Sequence, residues 1–467
     1  MKFTYRKYQE EAVECGLEVL RDLRGRREIL CLPTAAGKSL IIAGIANQLT
    51  DGNILVLQPD KNILEQNLSK IESFGVYPAV YSASVKRKEL GHLIYATPKS
   101  VSYEILKDAN IKYCIIDEVD HGSKNDSHIV KMLKKLGVKS ILGTTATPIH
   151  IDSSGQDGSV ARVMTQIKKP FFTDICYVVS AEEMISNKFW SDIKYYNVYK
   201  EEAEDILKLN SSGSEYTEES TETFFDKMNL AEEVKNFLLR LPENENALVF
   251  VPSINNLEQL QKILVGSVGV HSKMNPKLRV EYTEGFKSGK YKIMISVSSM
   301  NVGFDFPELK NIVDCSPTNS VRIKIQRDGR ILRIHKDKDF GRIICFSGNY
   351  KRFGDCRDFN FDKIEGYGWG LFSKDKLLTD VPLNSKQSTT KEYLRKHKKP
   401  LETFFEFTKE HDGLIKMSCG KMKGITLKRL YFTKRYYLKW LMSSGFNFKH
   451  EDREFERQLK IINDKVF

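Results

Sequence analysis

The sequence predicts an α/β protein: two successive parallel-sheet units followed by a small basic C-terminal region. Three observations predict it. Apolar runs of four or five residues alternate with amphipathic stretches through residues 1–150. The alternation restarts near residue 226, after a polar, Glu-rich interval. Positive charge gathers beyond both. Short, wholly apolar strands separated by helical patterns are buried on two faces, which implies a parallel sheet with crossover helices. The expected divisions are residues 1–150, a connecting segment and linker over 151–225, a second unit over 226–350 and a basic accessory region over 351–467.

In the first unit, Tyr8-Gln9 opens a helical pattern of Ala12, Val13, Gly16, Leu17 and Leu20. Ile29-Leu30-Cys31 reads as a strand, Leu32 to Ser39 as a small-residue loop and Leu40-Ile41-Ile42-Ala43 as a helix. The N–H groups of such a loop, with a helix N-terminus behind them, converge on phosphate oxygens. Thr34, Ala35, Ala36, Gly37, Lys38 and Ser39 are therefore the expected triphosphate cradle. Lys38 would reach the β- and γ-phosphates and the Ser39 hydroxyl would ligate magnesium. Leu32 stands where the first glycine of this pattern is usual.

Further strands are expected at 54–57, 93–96, 113–116 and 140–143, with a helix over 62–73 and another opening at Pro98. The third of these strands runs into Asp117-Glu118-Val119-Asp120, and the fourth into Thr144-Thr145-Ala146-Thr147-Pro148. Ligands of parallel sheets bind beyond the carboxyl ends of the strands, so loop, acidic tetrad and threonine run share one rim. Asp117 is expected to hold Mg2+, and Glu118 to orient and deprotonate an attacking water.

In this order the motifs resemble those of superfamily 2 helicases and translocases. The resemblance implies two RecA-like lobes, with ATP and Mg2+ as cofactors. It places Gln9 on the adenine edge, Thr97 of Ala96-Thr97-Pro98 against nucleic acid, and Thr145 and Thr147 between ATP and strand movement. In the second unit, Ser298 to Pro307 resembles the family segment linking nucleotide and strand, with Gly303 and Asp305 facing the nucleotide. Gln326-Arg327-Asp328-Gly329-Arg330-Ile331-Leu332-Arg333 resembles the arginine-finger segment. Positions 326, 330 and 333 fall near one face of a helix by their spacing, and their roles go to Gln326, Arg330 and Arg333. Phage branch-migration helicases of the UvsW type look most similar. The implied activity is an ATP-dependent DNA helicase or translocase acting on forks and four-way junctions. An RNA helicase and an ATP-switched DNA clamp are the alternatives.

The chain carries a net charge of +12, of which residues 385–440 hold +10, fifteen Lys and Arg against five Asp and Glu. An anionic polymer is the expected partner, which the family resemblance implies to be single-stranded or branched DNA; a solvated lysine-rich surface is the bland alternative. Gly420-Lys421-Met422-Lys423-Gly424 with a downstream Tyr437-Leu438-Lys439-Trp440-Leu441 resembles a small module of phage and bacterial nucleic-acid proteins, which makes Lys421 and Lys423 candidate DNA contacts. The aromatics there suit base stacking and a small core equally. Eight scattered cysteines without a Cys-x-x-Cys pair, no signal-like N-terminus and no apolar run of membrane length point to a cytosolic compartment with no membrane partner; the resemblance implies that the cell is a bacterium or a phage-infected host. Nothing in the sequence names a protein partner.

Overall fold

The computed structural model describes residues 4–121, 128–155, 158–167, 169–199, 205–297, 304–364, 368–380 and 450–466, with isolated positions at 416, 427, 430, 438, 441–442 and 448. The first lobe is built on an eight-stranded sheet: β1 (Arg27–Cys31), β2 (Asn53–Leu57), β3 (Ala79–Ser82), β4 (Arg87–Lys88), β5 (Leu93–Ala96), β6 (Ile111–Asp117), β7 (Ile141–Thr145) and β10 (Asp174–Val178). Its spatial order is β10-β1-β7-β6-β2-β5-β3-β4, parallel except at the β3–β4 edge. The central strands read Ile29-Leu30-Cys31, Ile54-Leu55-Val56-Leu57 and Cys114-Ile115-Ile116, and all are buried. That two-sided burial explains why they are apolar without alternation. Helices α1 (Lys7–Arg21), α2 (Lys38–Ala46) and α3 (Lys61–Ser73) return the chain across the sheet. A β8–β9 hairpin (Ile149–Gly155, Gly158–Val163) follows β7.

The second lobe is an all-parallel six-stranded sheet, ordered β11-β16-β15-β12-β14-β13. Its strands are β11 (Asp192–Asn197), β12 (Ala247–Val251), β13 (Val268–Val270), β14 (Ile293–Val297), β15 (Asn311–Asp314) and β16 (Phe340–Cys345).

The expected connecting segment and linker over 151–225 contains regular structure. Its residues Asp174–Val178 form an edge strand of the first sheet, and Asp192–Asn197 pair with β16 in the second. The described part of the Glu-rich stretch is also folded. Glu215 accepts hydrogen bonds from Thr318 Oγ1 at 2.5 Å and from the Asn319 N–H at 2.6 Å. The helix Glu218–Lys227 then buries Phe224 and Phe225 completely. Glutamates on the outer face of an amphipathic helix looked like solvent-exposed chain in the sequence.

Residues 359–364 and 368–377, expected in the accessory region, form a three-stranded antiparallel sheet (β17 Phe359–Ile364, β18 Gly368–Ser373, β19 Lys376–Leu377). Trp369 donates its indole N–H to Asp174 Oδ1 at 2.6 Å, which ties this sheet to the first lobe. Arg357 donates to the Ile193 carbonyl at 3.1 Å, which ties the same segment to the second. Further on, Lys416 pairs with Glu14 at 2.9 Å, and Leu427, Leu430, Leu438, Leu441, Phe455 and Leu459 are buried. Lys421 and Lys423 lie outside the described residues, and the expected small C-terminal domain is left without a described boundary. Among the described residues, no helix is long and apolar enough to cross a membrane, and seven cysteines are buried outside any disulfide.

If residues 205–227 belong to the second core, Phe224→Ala lowers the unfolding free energy by about 3–5 kcal/mol, as for a buried aromatic. Urea unfolding checks this, and a change within about 0.5 kcal/mol, as for an exposed linker residue, would contradict it.

Candidate active site

The loop after β1 is shaped by backbone geometry as much as by composition. Ala35 and Gly37 both take positive φ, +67° and +80°. At Gly37 a side chain would also collide with Gln9, since an added Cβ would lie 2.6 Å from Gln9 Nε2. Leu32, in place of the usual glycine, is fully buried and donates its N–H to the Thr145 carbonyl at 2.9 Å. It follows the last residue of the strand, and the turn begins at Pro33. Tyr8 and Gln9 fasten the far side, each donating to the Ala36 carbonyl at 3.0 Å. Gln9 Oε1 accepts from the Arg6 N–H at 2.9 Å, so the amide expected on the adenine edge lies against the phosphate loop itself. Arg6 stacks on Phe189, 3.9 Å from the ring centroid, and both line the same cleft.

At the end of β6, Asp117 is almost wholly buried and three donors hold it. Thr144 Oγ1 donates at 2.6 Å, Asn67 Nδ2 at 2.9 Å and the Glu118 N–H at 3.0 Å. Glu118 has a positive φ of +47° and forms an ion pair with Lys38. A non-glycine residue in that region costs energy and recurs at functional sites. Burial pushes the Glu118 carboxyl up to about 7; the Lys38 charge opposes this, and Asp117 and Asp120 add to it. Burial alone would pull the Lys38 ammonium down, but Glu118 and Asp117 outweigh it and hold it above its ordinary value. Asp120 accepts from Thr145 Oγ1 at 2.7 Å and from Thr147 Oγ1 at 2.8 Å. These two threonines are buried against the acidic tetrad. Thr97 likewise bonds internally, to Ser100 Oγ at 2.8 Å and Ser82 Oγ at 3.2 Å.

The second lobe closes the cleft from the other side. The helix Val321–Asp328 stops before Arg330, so the expectation of three positions on one helix face is corrected. Gln326 lies in the helix while Arg330 and Arg333 follow in the turns after it, yet all three line one cleft of about 500 Å³ with Lys38, Ser39, Asp117 and Glu118. Gly329 lets that turn approach, because an added Cβ would lie 2.5 Å from Thr34 Oγ1 and 2.9 Å from Thr34 Cβ. Arg327 is structural, buried and bound to Asp314 Oδ1 at 3.1 Å and the Ser316 carbonyl at 2.7 Å. Arg330 donates to the Phe304 carbonyl at 2.6 Å, and Arg333 pairs with Asp305 at 2.6 Å. Burial, with Arg333 adding, pushes the Arg330 guanidinium down to about 9, and burial also lowers Arg333. Arg330 Nε and Arg333 Nη1 are buried without a hydrogen-bond partner. Gly303 lies outside the described residues.

Several contacts here had no sequence signal. Lys70 on α3 crosses the cleft to Asp305 at 2.6 Å. Burial alone would raise the Asp305 carboxyl, but Arg333 and Lys70 hold it below its usual range. Trp190 donates its indole N–H to the Thr34 carbonyl at 2.8 Å, and Arg322 reaches from the second lobe to the Asp120 carbonyl at 3.0 Å.

The site's oxygens fit magnesium. Ser39 and Asp117 lie together, joined through the Asn67 amide, and hard oxygen donors of this kind suit that ion. Among the described residues, no three His, Cys, Asp or Glu are arranged to hold a metal. Phosphate oxygens and water would therefore complete the shell, as is usual for Mg2+.

Two parallel-sheet lobes, with the Thr34–Ser39 loop on one and buried guanidinium groups on the other, thus face each other across one cleft. Residues 2–150 match the family described as "Type III restriction enzyme, res subunit", and residues 229–335 match "Helicase conserved C-terminal domain". The chain belongs to helicase superfamily 2. It is 27% identical over 383 residues to a protein of Sulfolobus islandicus filamentous virus (isolate Iceland/Hveragerdi) whose name marks it as a candidate helicase, covering 75% of this chain and 65% of that one. It is 23% identical to the 51.5 kDa protein of a Lactococcus phage (66% and 62% covered) and 23% identical to the ATP-dependent DNA helicase Hel308 of Pyrococcus horikoshii (65% and 44%). The chain thus spans less than two thirds of the length of these relatives. In fold it is similar to the type ISP restriction-modification enzyme LlaBIII, with a TM-score of 0.53 at 17% identity over 74% of this chain and 28% of that one.

Gly329→Ala should part the lobes at Thr34. Fluorescence transfer between one label on each lobe is expected to fall in the nucleotide-free protein. Unchanged transfer would show that the close approach does not set the lobe spacing.

Proposed function

We propose that this chain is an ATP-dependent DNA helicase or translocase that remodels branched DNA, forks and four-way junctions. The observation that carries the ATPase part is the facing of Lys38, Ser39, Asp117 and Glu118 against Gln326, Arg330 and Arg333 across one cleft. In this reading the loop from Thr34 to Ser39 cradles the β- and γ-phosphates. The triphosphate draws Lys38 away from Glu118, and the freed carboxylate takes a proton from the attacking water. Arg330 and Arg333 spread the charge that gathers on the γ-phosphoryl oxygens. Ser39 and Asp117 would hold magnesium, which would supply further charge neutralisation when bound. Because the two sides of the site belong to different lobes, lobe closure depends on whether a triphosphate is bound.

The DNA part has different support. One relative is named a DNA helicase, and the motif set resembles phage branch-migration enzymes. The basic stretch 385–440, with Lys421 and Lys423, is proposed as the duplex- or junction-holding region, and Thr97 as part of the strand-contacting rim. Gly303 and Asp305 are proposed to sense the nucleotide beside it, and Thr145, Thr147 and Asp120 to pass its state to the strand.

The proposal is tested by ATP hydrolysis on single-stranded DNA, duplex, fork, four-way junction and RNA. Forks and junctions should stimulate most. Greater stimulation by RNA would make the protein an RNA helicase, and tight ATP-dependent binding without turnover would make it a clamp. Lys38→Ala, Glu118→Gln and Arg330→Ala should each lower stimulated turnover by roughly a thousandfold or more, the scale at which fingers and bases act.

Glu118 must be ionised to accept a proton, and its carboxyl is raised to about 7. The acid limb of kcat/KM should therefore fall below about pH 7, well above the ordinary carboxylate range. A limb near pH 4.5 would remove Glu118 from that role.

A further inference from the structure

We propose that Asn67 is the positioning residue of the magnesium site, setting Ser39 and Asp117 at the spacing the ion needs. This rests on the ATP and magnesium reading of the same cleft. Asn67 lies on α3, whose sequence pattern marks it as an ordinary polar position of an amphipathic helix. In the structure its amide is bound on all sides. Nδ2 donates to Asp117 Oδ2 at 2.9 Å and to Gln58 Oε1 at 2.8 Å, and Oδ1 accepts from Ser39 Oγ at 3.3 Å.

The orientation follows from chemistry. An ionised Asp117 can only accept, so the nitrogen of Asn67 faces it. Both amide hydrogens are then committed, one to Asp117 and one to Gln58, and the oxygen is turned toward Ser39. The two proposed metal ligands come from different elements, Ser39 from the start of α2 and Asp117 from the end of β6. Among the described residues, Asn67 is the side chain that bonds to both. Gln58 stands behind it, fully buried at the end of β2, with its Nε2 lacking a partner. A buried polar group kept at the cost of an unmade hydrogen bond needs a reason. Fixing the Asn67 amide supplies one. Magnesium demands near-ideal octahedral geometry, so a ligand pair free to shift by a few tenths of an ångström loses affinity. Residues that orient metal ligands commonly cost 10–100-fold in metal affinity when removed.

The test measures binding of a fluorescent ATP analogue as free Mg2+ is varied, and again in EDTA. In Asn67→Ala the half-saturating Mg2+ concentration should rise about tenfold. Metal-free nucleotide affinity should stay within about twofold of wild type, because the loop amides and Lys38 are untouched. A purely structural role would move both. Gln58→Leu keeps the buried volume and removes the unpaired N–H. It should shift the Mg2+ requirement the same way, about threefold, and it decides the matter if Asn67→Ala does not fold. Unchanged Mg2+ dependence in a folded variant overturns the proposal. Failure of the wild type to bind the analogue at any Mg2+ concentration would instead overturn the ATPase reading on which it stands.

Discussion

Lys38, Arg330 and Arg333 are three largely buried cations gathered around one cleft, and the architecture depends on what neutralises them. Taking a charge out of water costs several kcal/mol even after relaxation, and each orphaned buried N–H costs about 1–3 kcal/mol more. Without nucleotide the protein supplies internal anions. Glu118 takes Lys38, Asp305 takes Arg333, and the Phe304 carbonyl takes one side of Arg330. These stand-ins are incomplete, since Arg330 Nε and Arg333 Nη1 keep unused donors. A triphosphate presents several oxygens to all three cations at once. In the proposed reading, it displaces the carboxylates and the carbonyl.

The same arrangement explains why lobe contact and chemistry are inseparable. The two lobes touch around the cleft: Gly329 against Thr34, Lys70 on Asp305 and Arg322 on the Asp120 carbonyl, while Trp190, between the two sheets, holds the Thr34 carbonyl. Asp120 also carries Thr145 and Thr147. A change at the phosphates therefore reaches the second lobe through short, specific contacts. The Lys70–Asp305 pair is partly exposed, so salt screens it and its own strength is modest.

The strand-and-helix pattern of both lobes was legible because two-sided burial forces runs such as Ile54-Leu55-Val56-Leu57 and Ala247-Leu248-Val249-Phe250-Val251 to be wholly apolar. The phosphate loop was legible because its small residues, lysine and serine are local in sequence. Strand Asp174–Val178 was missed because five residues at a sheet edge carry little pattern. The helix holding Phe224 was missed because its three glutamates outnumber the two buried phenylalanines that carry its apolar face. Gln326, Arg330 and Arg333 were placed on one helix face, but the glycine between them ends the helix, and a turn brings them together instead. Asn67, Lys70, Trp190 and Arg322 had no signal at all. Each matters through a contact made by distant parts of the chain, and spacing along one element cannot report that.

The central claim is that γ-phosphate recruits the second lobe's guanidiniums from their internal partners. A structure of the protein with Mg2+, ADP and a fluoride mimic of the transferring phosphoryl group tests it most directly. The account predicts that Arg330 leaves the Phe304 carbonyl, or Arg333 leaves Asp305, to contact the fluorides while Lys38 leaves Glu118. A well-ordered complex in which all three cations keep their present partners would contradict it.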